Sequence, residues 1–75
     1  MEELLRFLLE KMCDQKDVVQ IQQEEDDGFI TFIVDIADED KGRIIGKGGQ
    51  NIKAIRTLLS ILGKKQNKRV MVKVS

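Results

Sequence analysis

Gly42-Arg43-Ile44-Ile45-Gly46-Lys47-Gly48-Gly49-Gln50-Asn51-Ile52-Lys53-Ala54-Ile55 is the stretch whose reading decides the fold. Two apolar, helix-like segments meet at Gly46-Lys47-Gly48-Gly49. Three of these four residues lack a side chain, so the backbone can lie almost against whatever binds there. The fourth, Lys47, is a flexible cation with three donors. Bare backbone, a cation and the start of a helix together suit an anionic ligand, and the stretch reads as a clamp for a nucleic-acid backbone.

Working outward, Asp38 is a fitting N-cap for a short helix over Glu39–Ile45, with acids early and bases late. Gly42 inside that helix costs about 1 kcal/mol relative to alanine, which close helix packing or ligand approach would offset. After the loop, Ile52, Ile55, Leu59 and Leu62 form the stripe of a second helix from Gln50, with Leu58 at its edge and Gly63 placed to end it. Lys64 to Arg69 is a basic turn, and Val70, Val72 and Val74 alternate in a last strand.

Upstream, Leu4, Leu5, Leu8, Leu9 and Met12 recur at helical spacing over residues 2–12, and Phe7 widens that apolar face. Asp14 to Asp17 is a polar connector. Val18 to Glu24 alternates as a strand with Val19 and Ile21 inward, and Glu25-Asp26-Asp27-Gly28 is a turn in which Asp-Gly supplies the positive φ of a tight hairpin. Phe29 to Ile36 puts Ile30, Phe32, Val34 and Ile36 on one face and Phe29, Thr31, Ile33 and Asp35 on the other. A strand apolar on nearly both faces belongs in the middle of its sheet; its open side is also a candidate partner surface. The order is helix, strand, strand, helix, loop, helix, strand. The first two strands form an antiparallel hairpin, and the helical crossover allows the third to run parallel to the second. The fold class is α+β: a three-stranded mixed sheet with three helices on one face, in one domain over residues 1–75.

The formal net charge is zero, yet it is divided. Positions 1–40 hold all thirteen acids beside three bases, a charge of −10, and positions 41–75 hold ten bases and no acid. A basic half that contains the glycine loop can attract phosphate, unless the acidic half folds around it and cancels it. The single Cys13 cannot form an internal disulfide and reads as a small core residue. No apolar run approaches a membrane span, and Met1-Glu2-Glu3 does not begin like a signal peptide, so the expected location is cytoplasmic.

Other glycine loops fail on spacing. A P-loop needs four residues between its glycines and Ser or Thr after the lysine. Here three residues separate Gly42 from Gly46, and Gly48 follows Lys47. A dinucleotide fingerprint would need glycine where Asn51 stands. The chain has no histidine and no metal-ligand spacing, so neither an enzyme nor a metal or cofactor site is expected.

The pattern G-x-x-I-G-x-x-G-x-x-I-x-x-I is met at Gly42, Ile45, Gly46, Gly49, Ile52 and Ile55. It resembles the GXXG core of the KH domain, which clamps about four nucleotides of single strand, in the element order of the bacterial, type II form. Over its whole length the chain looks like the KhpA family of small bacterial KH-domain RNA-binding proteins. Ile45-Gly46-Lys47 and the run from Lys53 to Leu59 carry that likeness. Gly48 stands where the typical family loop has a bulkier polar residue.

The resemblance implies a single-stranded RNA partner held on Gly46, Lys47, Gly48 and Gly49. Amides around Gly48, Gly49 and Gln50 would face a phosphate, and Arg43, Lys53 and Arg56 would line the approach. Gly42 would permit close contact. Ile45, with Ile36 or Val34, would floor the groove for bases. With three Phe and no Trp or Tyr, aromatic stacking is not expected, and binding should be weak and loosely specific. The resemblance also implies self-association and pairing with a larger KH-containing bacterial partner, linked to cell-envelope growth and division. A protein–protein adaptor with RNA binding secondary is the rival reading, which the intact loop disfavours.

Overall fold

The computed structural model describes residues 1–75. Helix α1 spans Glu2–Met12, strands β1 and β2 span Gln20–Asp26 and Phe29–Asp35, helices α2 and α3 span Asp38–Ile45 and Gln50–Lys65, and strand β3 spans Arg69–Val74. The sheet order is β1-β2-β3, with β1 antiparallel to β2 and β3 parallel to it. The central strand, the hairpin and the parallel crossover all agree with the sequence reading.

The hairpin closes more tightly than expected. Asp26 pairs with Phe29, so only Asp27 and Gly28 turn the chain, at φ 50° and 79°. Two successive positive φ values are the turn whose twist matches paired strands. At its other end β1 begins at Gln20 rather than Val18, because the amides of Val18 and Val19 bond back to Gln15 and Lys16 in a helical turn.

Alternation in β2 decides where the core lies. Ile30, Phe32 and Val34 are almost wholly buried under the helices, while Phe29 on the opposite face is 42% exposed. From α1 come Leu5 and Leu9, from α2 Ile44, from α3 Ile52, Ile55 and Leu59, and from β3 Val72. Phe7 does not join them. It lies two residues from Leu5, about 200° around the helix, and its exposed ring sits under the Lys11 ammonium at 5.4 Å.

Gly63 does not end α3. The helix continues to Lys65, and Gly63 is buried where a Cβ would lie 2.7 Å from Val70 Cγ2 and 2.8 Å from the Lys68 carbonyl oxygen. Its role is to let the helix pass close over β3. The chain instead leaves the helix through Asn67 at φ 57°, with the Lys68 amide on the Gly63 carbonyl and the Asn67 amide on the Lys64 carbonyl. That is a Schellman closure with asparagine in the left-handed position.

Candidate nucleic-acid interface

Helix α2 is held from behind. The Asp40 carboxylate is buried and accepts the backbone amides of Asp14 at 3.1 Å and Gln15 at 3.0 Å, just beyond the end of α1. Those amides, first Gln15 and then Asp14, hold its carboxyl below the ordinary carboxylate range, and the nearby Arg43 adds to this. Arg43 Nη1 donates to the Met12 carbonyl at 3.1 Å and pairs with Asp14 at 3.0 Å. The hydrogen bond and charge of Asp14 raise its already high pKa. Cys13 is buried beside this cluster, where burial, and then Asp40, push its thiol upward and keep it protonated.

The capping of α2 differs from expectation. Asp38 is its first helical residue, Ala37 precedes it as the cap, and the Asp38 carboxylate pairs with Lys41 at 3.0 Å. Gly42 packs against nothing: a Cβ there would meet no atom within 4 Å. Close helix packing therefore does not offset this mid-helix glycine.

The loop itself is a tight turn. Gly46 has φ 75° and ψ 173°, Gly48 φ 65° and ψ 19°, and Gly49 φ 79° and ψ 16°. All three values favour glycine. The Gly49 amide bonds to the Gly46 carbonyl at 3.1 Å and the Gln50 amide to the Lys47 carbonyl. Two of the amides expected to face a phosphate are therefore engaged inside the turn. The amides of Lys47 and Gly48 open the turn one step earlier and have no partner within it.

The basic residues divide into two groups. Every ion pair joins a base from 41–75 to an acid from 1–40, so some local cancellation occurs, but it takes only Lys41, Arg43 and Lys68. Lys47 and Lys53 are exposed and make no ion pair. Arg43 is committed to α1. Arg56 donates from Nε at 3.1 Å and Nη2 at 3.0 Å to the Val72 carbonyl, so its guanidinium is occupied along β3.

For bases, Ile45 at 39% exposure is the aliphatic residue beside the loop. Ile36 and Val34 are 3% and 0% exposed and cannot floor a groove. The two surface cavities are lined by Asp14 to Val18 and by Lys64, Asn67, Lys68 and Arg69, and neither includes the loop. Gly42, Ile45, Gly46, Lys47, Gly48, Gly49, Gln50 and Lys53 thus lie on or beside one helix–loop–helix turn, while Arg43 and Arg56 point their charge elsewhere. One residue of this turn was missed in the sequence. Asn51 Nδ2 donates across the loop to the Arg43 carbonyl at 2.7 Å. The only signal was an amide side chain in the first turn after the glycines.

A three-stranded mixed sheet, three helices on one face and a GXXG turn between the last two define a type II KH domain. The KhpA/KhpB KH-domain model matches residues 2–74, and the chain belongs to that family. It is 38% identical to the "RNA-binding protein KhpA" of Listeria monocytogenes over 99% of this chain and 97% of that protein. Against proteins of the same name from Clostridium acetobutylicum and Chlamydia pneumoniae the identities are 36% and 35%, each over 99% of this chain, covering 99% and 95% of those proteins. No helix is long and apolar enough to cross a membrane.

Proposed function

We propose that this chain binds single-stranded RNA and holds its backbone on the Gly46–Gly49 turn. The observation that carries the reading is the conjunction of the two amides that open that turn, those of Lys47 and Gly48, which have no partner within it, with two lysines that no acid neutralises. A phosphate seated there receives backbone donors and a cation without competition. The α3 N-terminus adds its positive dipole end. Gly48 leaves room for close approach, since a Cβ there would meet nothing within 4 Å. Relatives named as RNA-binding proteins support the same reading.

In this reading the chain is a cytoplasmic binding module, in the manner of an RNA chaperone or regulator, and carries out no catalysis. Contacts at Gly42, Ile45, Gly46, Gly49, Gln50 and Lys53 complete the surface. Arg43 and Arg56 contribute through the scaffold. Roughly two to four phosphates fit the turn, so log K should fall with log salt at a slope of about −1.5 to −3. Fluorescence anisotropy with a short single-stranded RNA across a salt series tests this. A flat response, or preference for duplex, overturns it.

A second reading has a specific observation behind it. Leu58 and Ile61 on α3 are 46% and 52% exposed, side by side on the outer face. That stripe favours pairing with a second copy or with a larger KH-containing partner, the adaptor role in cell division and cell shape that the family resemblance suggests. Leu58→Glu with sedimentation analysis tests it: an unchanged oligomeric state counts against the stripe.

A further inference from the structure

Asn51 is the second residue of α3, and its side chain reaches back over the loop to the end of α2. The bond from Nδ2 to the Arg43 carbonyl, at 2.7 Å, satisfies an acceptor in the last turn of α2, where carbonyls have no partner within the helix. The neighbouring Gly42 carbonyl is taken by the Gly46 amide at 2.8 Å. Asn51 thus closes α2 from the start of α3.

The bridge passes directly over Gly46. A Cβ at Gly46 would lie 2.8 Å from Asn51 Cγ and 2.9 Å from the Asn51 backbone nitrogen, whereas at Gly48 it would meet nothing within 4 Å. The first glycine of the turn is therefore shaped by Asn51, and the outward Gly48 is the one left bare for a ligand. A four-residue turn with three glycines would lose much backbone freedom on gripping a phosphate. A bridge between its two ends moves that ordering into the folded protein and away from the binding step.

We propose that Asn51 is the positioning residue of the RNA clamp: its bond to the Arg43 carbonyl holds the turn in the geometry that presents the Lys47 and Gly48 amides. The proposal rests on the RNA-binding reading above. Asn51→Ala is the test, because alanine keeps α3 helical and removes no charge. Two measurements are made. Heteronuclear NOEs report the order of the Gly46–Gly49 amides without RNA, and anisotropy across salt reports affinity for a short single-stranded RNA.

The expected result is a looser turn in the RNA-free variant and an affinity loss of about fivefold, the worth of one net hydrogen bond, with the salt slope unchanged. Lys47→Ala, run alongside, lowers the slope by about 0.7. If affinity falls while the free turn stays ordered, Asn51 touches RNA directly and the proposal is wrong. It is equally wrong if the turn loosens and affinity holds, or if neither changes. A wild-type protein that ignores RNA overturns the clamp reading itself, and the amide order then shows separately whether the bridge shapes the turn.

Discussion

Arg56 holds the carbonyl of Val72 with two donors, Nε at 3.1 Å and Nη2 at 3.0 Å. The amides of Arg69 and Ser75 bond to the carbonyls of Gly28, just before β2, and Val34 on β2, so by the two-residue period of a strand the Val72 carbonyl faces the open edge of the sheet. A guanidinium laid along that edge occupies an acceptor that another strand could otherwise pair with. This changes what Arg56 is for. Arg56→Ala should lower stability by about 1.5 kcal/mol, the range for hydrogen bonds from a charged donor. RNA affinity should change less than twofold. Denaturant titration and anisotropy on the same preparation check both, and a large affinity loss at unchanged stability would return Arg56 to the ligand.

Lys47→Asp with Gly48→Asp places two carboxylates where the free amides and the cation now stand. RNA affinity should fall at least about tenfold, or 1.4 kcal/mol. The turn is exposed and separate from Leu59, Phe32 and Val72, so circular dichroism should be unchanged. Gly48 has φ 65°, which aspartate tolerates better than most residues but at some cost, so melting should drop slightly. If RNA binds the double variant as before, the clamp is elsewhere.

Two glycine-to-alanine changes in helices should have opposite signs. At Gly42 the added methyl meets nothing within 4 Å, so Gly42→Ala should stabilise by about 0.5–1 kcal/mol through helix propensity. At Gly63 the same methyl would lie 2.7 Å from Val70 and 2.8 Å from a backbone oxygen, so Gly63→Ala should destabilise by about 1–3 kcal/mol. For a domain of this size each kcal/mol moves Tm by about 4–8 °C. If Gly42 exists for ligand approach, Gly42→Ala should also bind RNA more weakly while melting higher. Thermal melts and anisotropy separate the two effects.

Asp40 makes stability depend on acid. Its carboxyl is depressed in the folded state, so the unfolded chain binds more protons in that range and stability rises with pH there. The contribution is complete above the ordinary aspartate pKa of about 3.9 and is lost as pH falls through the lower folded value. Asp40→Asn presents an amide in place of one acceptor for the Asp14 and Gln15 amides, so it should be less stable than wild type at neutral pH. The gap should narrow below about pH 4. Denaturant midpoints for both proteins from neutral to acid pH check this; a gap that stays constant would mean the carboxylate charge is not what holds α1 to α2.

Much of the fold was legible because it is written locally. Leucines at helical spacing marked α1 to its observed ends, Asp27-Gly28 marked the hairpin, and alternation put Ile30, Phe32 and Val34 together on one face of β2, which the structure buries. The GXXG turn was readable for the same reason: glycines at 46, 48 and 49 are chosen by backbone angles that few other residues adopt. What the sequence could not show was where long side chains and bare backbone end up. Arg43 reaches a carbonyl 31 positions away, and Arg56 one 16 positions away. On the sequence both looked like cations near a phosphate site. Gly63 looked like a helix stop, and only the approach of Val70 made it a packing contact. By itself the sequence determined the order of elements and the place of the turn, because backbone preferences and apolar periodicity act within a few residues. The tertiary structure decided which charges stay free for a ligand and which amides of the turn are unspent, because those depend on partners that only folding brings within hydrogen-bond reach.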